Sequence, residues 1–130
     1  RESEGIFVHG GNTFFLLQEL QRTGLPSVIS SFVRSGGLYI GSSAGSIVAG
    51  PRIDIIAPTD DPSKASAVDP SSALGLVDFV PFVHYDDPAY RTALTASFER
   101  AIGEGVNILP LRNDQWVEAD VRGVRLHSLG

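Results

Sequence analysis

The chain has 130 residues, 42% of them apolar, no cysteine, and a net charge of −5. The absence of cysteine excludes disulfides, thiolate nucleophiles and zinc–thiolate sites, and the lack of a basic stripe argues against nucleic acid as a partner. No apolar run approaches the roughly 18 residues that span a bilayer, and no signal-peptide pattern opens the sequence, so the expectation is one domain over residues 1–130, in the cytoplasm and without a membrane partner.

Gly5-Ile-Phe-Val8 reads as a short buried strand running into the loop His9-Gly10-Gly11-Asn12. Asn12 or Thr13 can cap a helix that extends to about Arg22, with Phe14, Leu17 and Leu20 on one face. Thr23-Gly-Leu-Pro26 breaks it. Ser27–Arg34 predicts a second helix with Val28, Ile29, Phe32 and Val33 inward, closed by Gly36, and Gly37–Ile40 is a strand. From Gly50 to Leu74 the pattern dissolves into Pro, Asp, Ser and Thr, which reads as a long loop of the functional or disordered kind. Val77–Val83 is another strand and delivers His84 at its end. Pro88–Ile102 is a helix with Leu94, Phe98, Ala101 and Ile102 toward the core, Val106–Leu111 a strand, and Trp116–Ala119 with Val124–His127 a hairpin. Strands alternating with helices predict an α/β layer fold with a mainly parallel sheet.

The most informative segment is Tyr39-Ile-Gly-Ser-Ser-Ala-Gly45, a strand feeding into G-x-S-x-G. In a nucleophile elbow of this kind a serine sits on a turn too tight for flanking side chains, and its hydroxyl projects from the sheet edge. Ser46–Ala49 can open a helix whose amides point at an oxyanion. Ser43 is therefore the candidate nucleophile for acyl chemistry.

A serine hydroxyl attacks only when a base removes its proton. His9, His84 and His127 are the candidates, and His84 has the best position because sites assemble at strand ends along one edge of an open α/β sheet. The base needs an acid to hold its tautomer. Asp60 and Asp61 in the long loop, Asp86 and Asp87 after the histidine, and Asp114 after the next strand all remain open on the residues alone. The amides of Ala44 and Gly11 are the expected oxyanion donors. The glycine loop lacks G-x-G-x-x-G or Walker spacing, so no nucleotide site is expected.

Three ordered motifs together, Gly10-Gly-Asn-Thr-Phe-Phe-Leu-Leu17, Gly37-Leu-Tyr-Ile-Gly-Ser-Ser-Ala-Gly45 and the strand ending in His84, resemble the S51 peptidases, the family of peptidase E-type aspartyl dipeptidases and of cyanophycinase. The resemblance implies a flavodoxin-like, class I glutamine amidotransferase-like α/β fold carrying a serine peptidase. It implies Ser43 as nucleophile and His84 as base. The family acid matches either Asp61 (or Asp60) in the loop after the elbow, which is favoured, or Asn113 or Asp114 after a later strand. By the same resemblance Asn12 and Arg91 bind the aspartate of a dipeptide substrate, with no metal or organic cofactor. The segment between His84 and Arg91 is shorter than in peptidase E, which bears on aspartate specificity alone. Family members typically carry further strands before Gly5. Either a fragment or a homodimer that completes the sheet is therefore the expectation.

Overall fold

The computed structural model describes residues 5–129, the side chain of Lys64 aside. It is a mixed α/β structure in which β1 (Gly5–Val8) pairs in parallel with β2 (Leu38–Gly41), so that Val8 lies opposite Gly41. Between them run α1 (Thr13–Arg22) and α2 (Leu25–Arg34). α1 forms because Phe14, Leu17 and Leu20 recur at helical spacing, and all three are buried. The Asn12 side chain accepts from the Phe15 amide at its N-terminus. α2 starts two residues earlier than expected, since Pro26 sits in its first turn, where the missing N–H costs no helical bond. Of its four expected inward residues only Ile29 is buried, and Val28 faces out. The ring of Phe32 lies against Gly37, where a Cβ would approach it to 2.3 Å.

The mainly parallel sheet expected from the sequence is divided. β3 (Val80–Phe82) pairs in parallel with β4 (Ile108–Pro110), and β5 (Gln115–Asp120) pairs antiparallel with β6 (Gly123–Ser128). Among the described residues the three ladders share no strand. The four-residue α3 (Ala44–Ile47) packs against both β2 and β3. β1 is not the buried strand expected: Ile6 and Val8 turn partly inward while Phe7 is 62% exposed.

The stretch read as a long loop has no regular structure among the described residues beyond two 3-10 turns, but it sends Ile53, Ile55, Ile56, Ala65 and Leu74 into the core. Ile53, Ile55 and Ile56 flank and form a 3-10 turn, Asp54–Ile56, and are buried to 2% exposure or less. Each contributes about 2 kcal/mol of apolar burial. Side chains of α1 hold the rest of the segment. Gln18 accepts from the Ala67 amide, while Gln21 accepts from Asp69 N–H and donates to the carbonyls of Asp69 and Ser72. The polar composition that suggested disorder supplies these turns and caps.

α4 (Arg91–Glu104) follows a 3-10 turn at Pro88–Tyr90 and buries Leu94, Ser97 and Ala101. Phe98 and Ile102, expected inward, lie on its exposed side. Among the described residues no helix is long and apolar enough to cross a membrane.

Candidate active site

The elbow is built from backbone crowding. A Cβ on Gly41 would stand 2.4 Å from the Gly45 carbonyl oxygen, and one on Gly45 would stand 2.1 Å from the carbonyl oxygen of Val8. Only hydrogen fits at either position, which is the physical content of G-x-S-x-G here. The Ser42 amide donates to Val8 C=O at 3.0 Å, tying the corner to β1. Ser46 Oγ donates to Gly41 C=O, and the Tyr39 hydroxyl donates to Gly45 C=O at 2.6 Å. Burial pushes the Tyr39 phenol well above its ordinary pKa, so it stays a neutral donor.

Ser43 sits at φ 55°, ψ −114°. His84, just past the end of β3, has φ 61°. They are the only non-glycine residues with positive φ among those described. Such backbone costs roughly 1–3 kcal/mol per residue and persists where the surroundings over-determine it. The two strained residues meet: Ser43 Oγ lies 3.3 Å from His84 Nε2. The other ring nitrogen, Nδ1, lies 2.8 Å from Oδ1 of Asn113, three residues past β4. With Nδ1 donating to that oxygen, Nε2 is left as the acceptor for the serine proton. The Tyr90 ring stacks on the imidazole, with centroids 4.8 Å apart and planes 14° from parallel.

The residue beside Nδ1 is therefore Asn113, the later-strand alternative, and not the favoured Asp61. Both nitrogens of His84 are engaged by Ser43 and Asn113. Asp61 Oδ1 accepts from the amide and hydroxyl of Ser63 as the cap of the 3-10 turn Pro62–Lys64. Asp60 faces α1, where one carboxylate oxygen accepts from both Thr13 N–H and Thr13 Oγ1. Asp114 pairs with Arg112. Asp86 accepts the backbone N–H of Asn113, and Asp87 caps the turn at Ala89. Asn113 is the alternative that the resemblance placed after a later strand, beside the favoured Asp61. A neutral amide gives none of the charge by which a triad acid is usually sought.

At the oxyanion side, Ala44 is buried directly after the nucleophile. Among the described residues, no backbone carbonyl takes the amide hydrogen of Ala44 or Gly11. Gly11 has φ +116°, a conformation that favours glycine. Gly10, named beforehand only as part of the glycine loop, comes close to Ser43: a Cβ there would lie 3.2 Å from Ser43 Cβ and 3.6 Å from its Oγ. α3 is too short for a strong dipole, so the expected helix contribution reduces to individual amides.

The two expected substrate contacts separate. Asn12 uses its oxygen on Phe15 N–H and donates its amide hydrogen to the Asp61 carbonyl, both at 3.0 Å, so its side chain closes the start of α1. Arg91 opens α4 with an exposed side chain and lines a cavity of about 310 Å³ with Tyr85, Leu94, Thr95 and Phe98. Ser43 and His84 line a different and larger groove of about 1650 Å³, with Asn113 and the inner side of the β5–β6 hairpin. Among the described residues no group of three or more His, Asp and Glu side chains is placed to hold a metal ion.

The model of peptidase family S51 matches residues 1–127. The chain belongs to this family. Among S51 relatives, a peptidase E of Streptomyces coelicolor is 43% identical over 127 residues, covering 92% of this chain and 50% of its own length. Uncharacterized peptidases of Listeria innocua and Listeria monocytogenes are 45% identical over 91 residues and 38% over 115. These alignments cover 70% and 88% of the chain, but 44% and 56% of those proteins. A crystal structure of a protein assigned as peptidase E, from Listeria monocytogenes, superposes with a TM-score of 0.86 at 35% identity, over all of this chain and 62% of that one. The chain thus spans about half the length of the curated S51 relatives it matches.

Proposed function

We propose that the chain carries the catalytic apparatus of a serine peptidase for short peptides, on a flavodoxin-like α/β domain. The observation that carries this reading is the contact of two strained residues, Ser43 Oγ with His84 Nε2, while Asn113 engages the far ring nitrogen. In this reading Ser43 attacks the peptide carbonyl as Nε2 of His84 accepts its proton. The amides of Ala44 and Gly11 hold the developing oxyanion. The imidazolium passes its proton to the leaving amine, and water activated by the same nitrogen then hydrolyses the acyl-enzyme. A Ser-His-Asn arrangement supports the tautomer without adding charge, as the Cys-His-Asn set of papain-like proteases does.

The substrate class we favour is dipeptides with an N-terminal aspartate; Arg91, which the resemblance matches to that carboxylate, lines a separate cavity and would have to swing toward the groove of Ser43 to reach it. Asn12 is better read as a helix cap. The groove favours a second reading. It is wide open to solvent and runs from the β2–α3 corner to the β5–β6 hairpin, an access that suits longer or branched aspartyl peptides of the cyanophycin type. Hydrolysis of Asp-X, X-Asp and β-aspartyl substrates, measured side by side, separates the two. In the same proposal the chain works as a homodimer, because Phe7, Leu38 and Ile40 leave one side of β1–β2 about half exposed. Sedimentation of an active monomer would reject that.

Ser43→Ala should lower peptide turnover by at least about a thousandfold and abolish labelling by a fluorophosphonate. Retained turnover would overturn the peptidase assignment, and a wild-type chain inert to both would favour a binding module.

A further inference from the structure

Asn113 lies exposed on a turn after β4, where Gln115 accepts the Arg112 amide and donates its own amide hydrogen to the Arg112 carbonyl. A neutral side chain on an exposed turn needs something to aim it if it is to hold an imidazole. Asp86 provides that. Its Oδ1 accepts the Asn113 backbone N–H at 3.0 Å, and it stands two residues after His84 itself. The loop between them is closed by Asp87 N–H donating to the His84 carbonyl and by Tyr85 N–H donating to Leu111 C=O. One short loop therefore carries the imidazole at one point and the anchor of its partner at another.

We propose that Asp86 is a positioning residue of the active site, acting through Asn113. It fixes the turn after β4 against the His84 loop, so that Asn113 Oδ1 faces Nδ1 and the imidazole keeps the tautomer with Nε2 open to Ser43. A carboxylate bonded to a backbone amide makes a charge-assisted bond stronger than a neutral one. It acts on the peptide rather than on the ring, which explains how a His-x-Asp segment can serve the histidine without folding back onto it. The assignment rests on the serine-peptidase reading for its consequence in catalysis, but the geometry it describes can be tested without turnover.

The test uses Asp86→Ala and Asp86→Asn in the full chain, with folding checked by thermal melting. Nitrogen-15 spectra of the His84 ring, assigned by difference against His84→Gln, report the tautomer, and the labelling rate of Ser43 by a fluorophosphonate reports reactivity. The wild type should show Nδ1 protonated at neutral pH. Asp86→Ala should mix the tautomers and slow labelling about tenfold. Asp86→Asn retains an acceptor oxygen and should stay within about threefold of wild type. A wild-type ring protonated on Nε2, an Asp86→Ala chain indistinguishable from wild type in tautomer, or an Asn variant as impaired as the Ala variant would each overturn the proposal. Absence of labelling in the wild type would strike the peptidase reading instead, while the ring spectra still decide the role of Asp86.

Discussion

At the level of single residues, the site turns on an amide where a carboxylate was sought. Asn113 can accept from Nδ1, but in the proposed mechanism it would not offset the positive charge formed on His84 as Ser43 gives up its proton. Asn113→Ala should therefore slow acylation by about a hundredfold through loss of the oriented tautomer. Asn113→Asp should match or exceed the wild-type rate, because it keeps the acceptor and adds charge. Stopped-flow labelling of Ser43 measures both. Ser43 and His84 were legible because each rests on a strong local signal, a glycine-flanked corner and a strand end. The choice between Asp61 and Asn113 was not legible, since Asp60 and Asp61 are as acidic in sequence as any triad member and their engagement with Thr13 and Ser63 exists only in three dimensions.

Among elements, the β2–α3 corner is the least tolerant. Gly45→Ala would drive a methyl group into the Val8 carbonyl at 2.1 Å, a contact that only movement of β1 or β2 can relieve. Such overpacking against backbone should cost at least about 3 kcal/mol, or prevent folding, and urea denaturation reads it directly. Gly103→Ala, in the last turns of α4 with open space around its Cβ position, should stabilise the chain by a few tenths of a kcal/mol to about 1 kcal/mol under the same assay. α1 could be read correctly to its core residues because three apolar positions share one face. α4 was read only in part: Leu94 and Ala101 are buried as expected, but a serine, Ser97, lies on its inner side while Phe98 and Ile102 face out. The segment after α3 was misjudged for a related reason. Its buried isoleucines are carried on a 3-10 turn with neither helical nor strand periodicity.

For the molecule as a whole, one charged cluster joins the segment after α3 to the C-terminal end of α4. Arg52 bonds both Asp54 and Glu104, and Arg100 bonds the same two carboxylates. The Arg52 guanidinium holds the Asp54 carboxyl below its ordinary value, against the opposing effect of partial burial. A folded-state pKa depressed in this way stabilises the chain above the unfolded value, and that stability is lost as pH falls through the folded value. Urea midpoints should accordingly fall as the pH is lowered from about 5 toward 2, and Asp54→Asn should flatten that dependence while reducing stability at neutral pH. Family membership was legible at this scale from three motifs in order. The division of the sheet into three ladders was not, because strand sequences fix which residues are extended but leave their pairing to the packing between them. The chain has a single tryptophan, Trp116, which lines the cavity holding Ser43 and His84 and stacks on His127 with ring centroids 5.1 Å apart. Its ultraviolet emission, excited at the red edge where the three tyrosines do not absorb, should thus report occupancy with no dye, no substrate turnover and no second tryptophan to subtract.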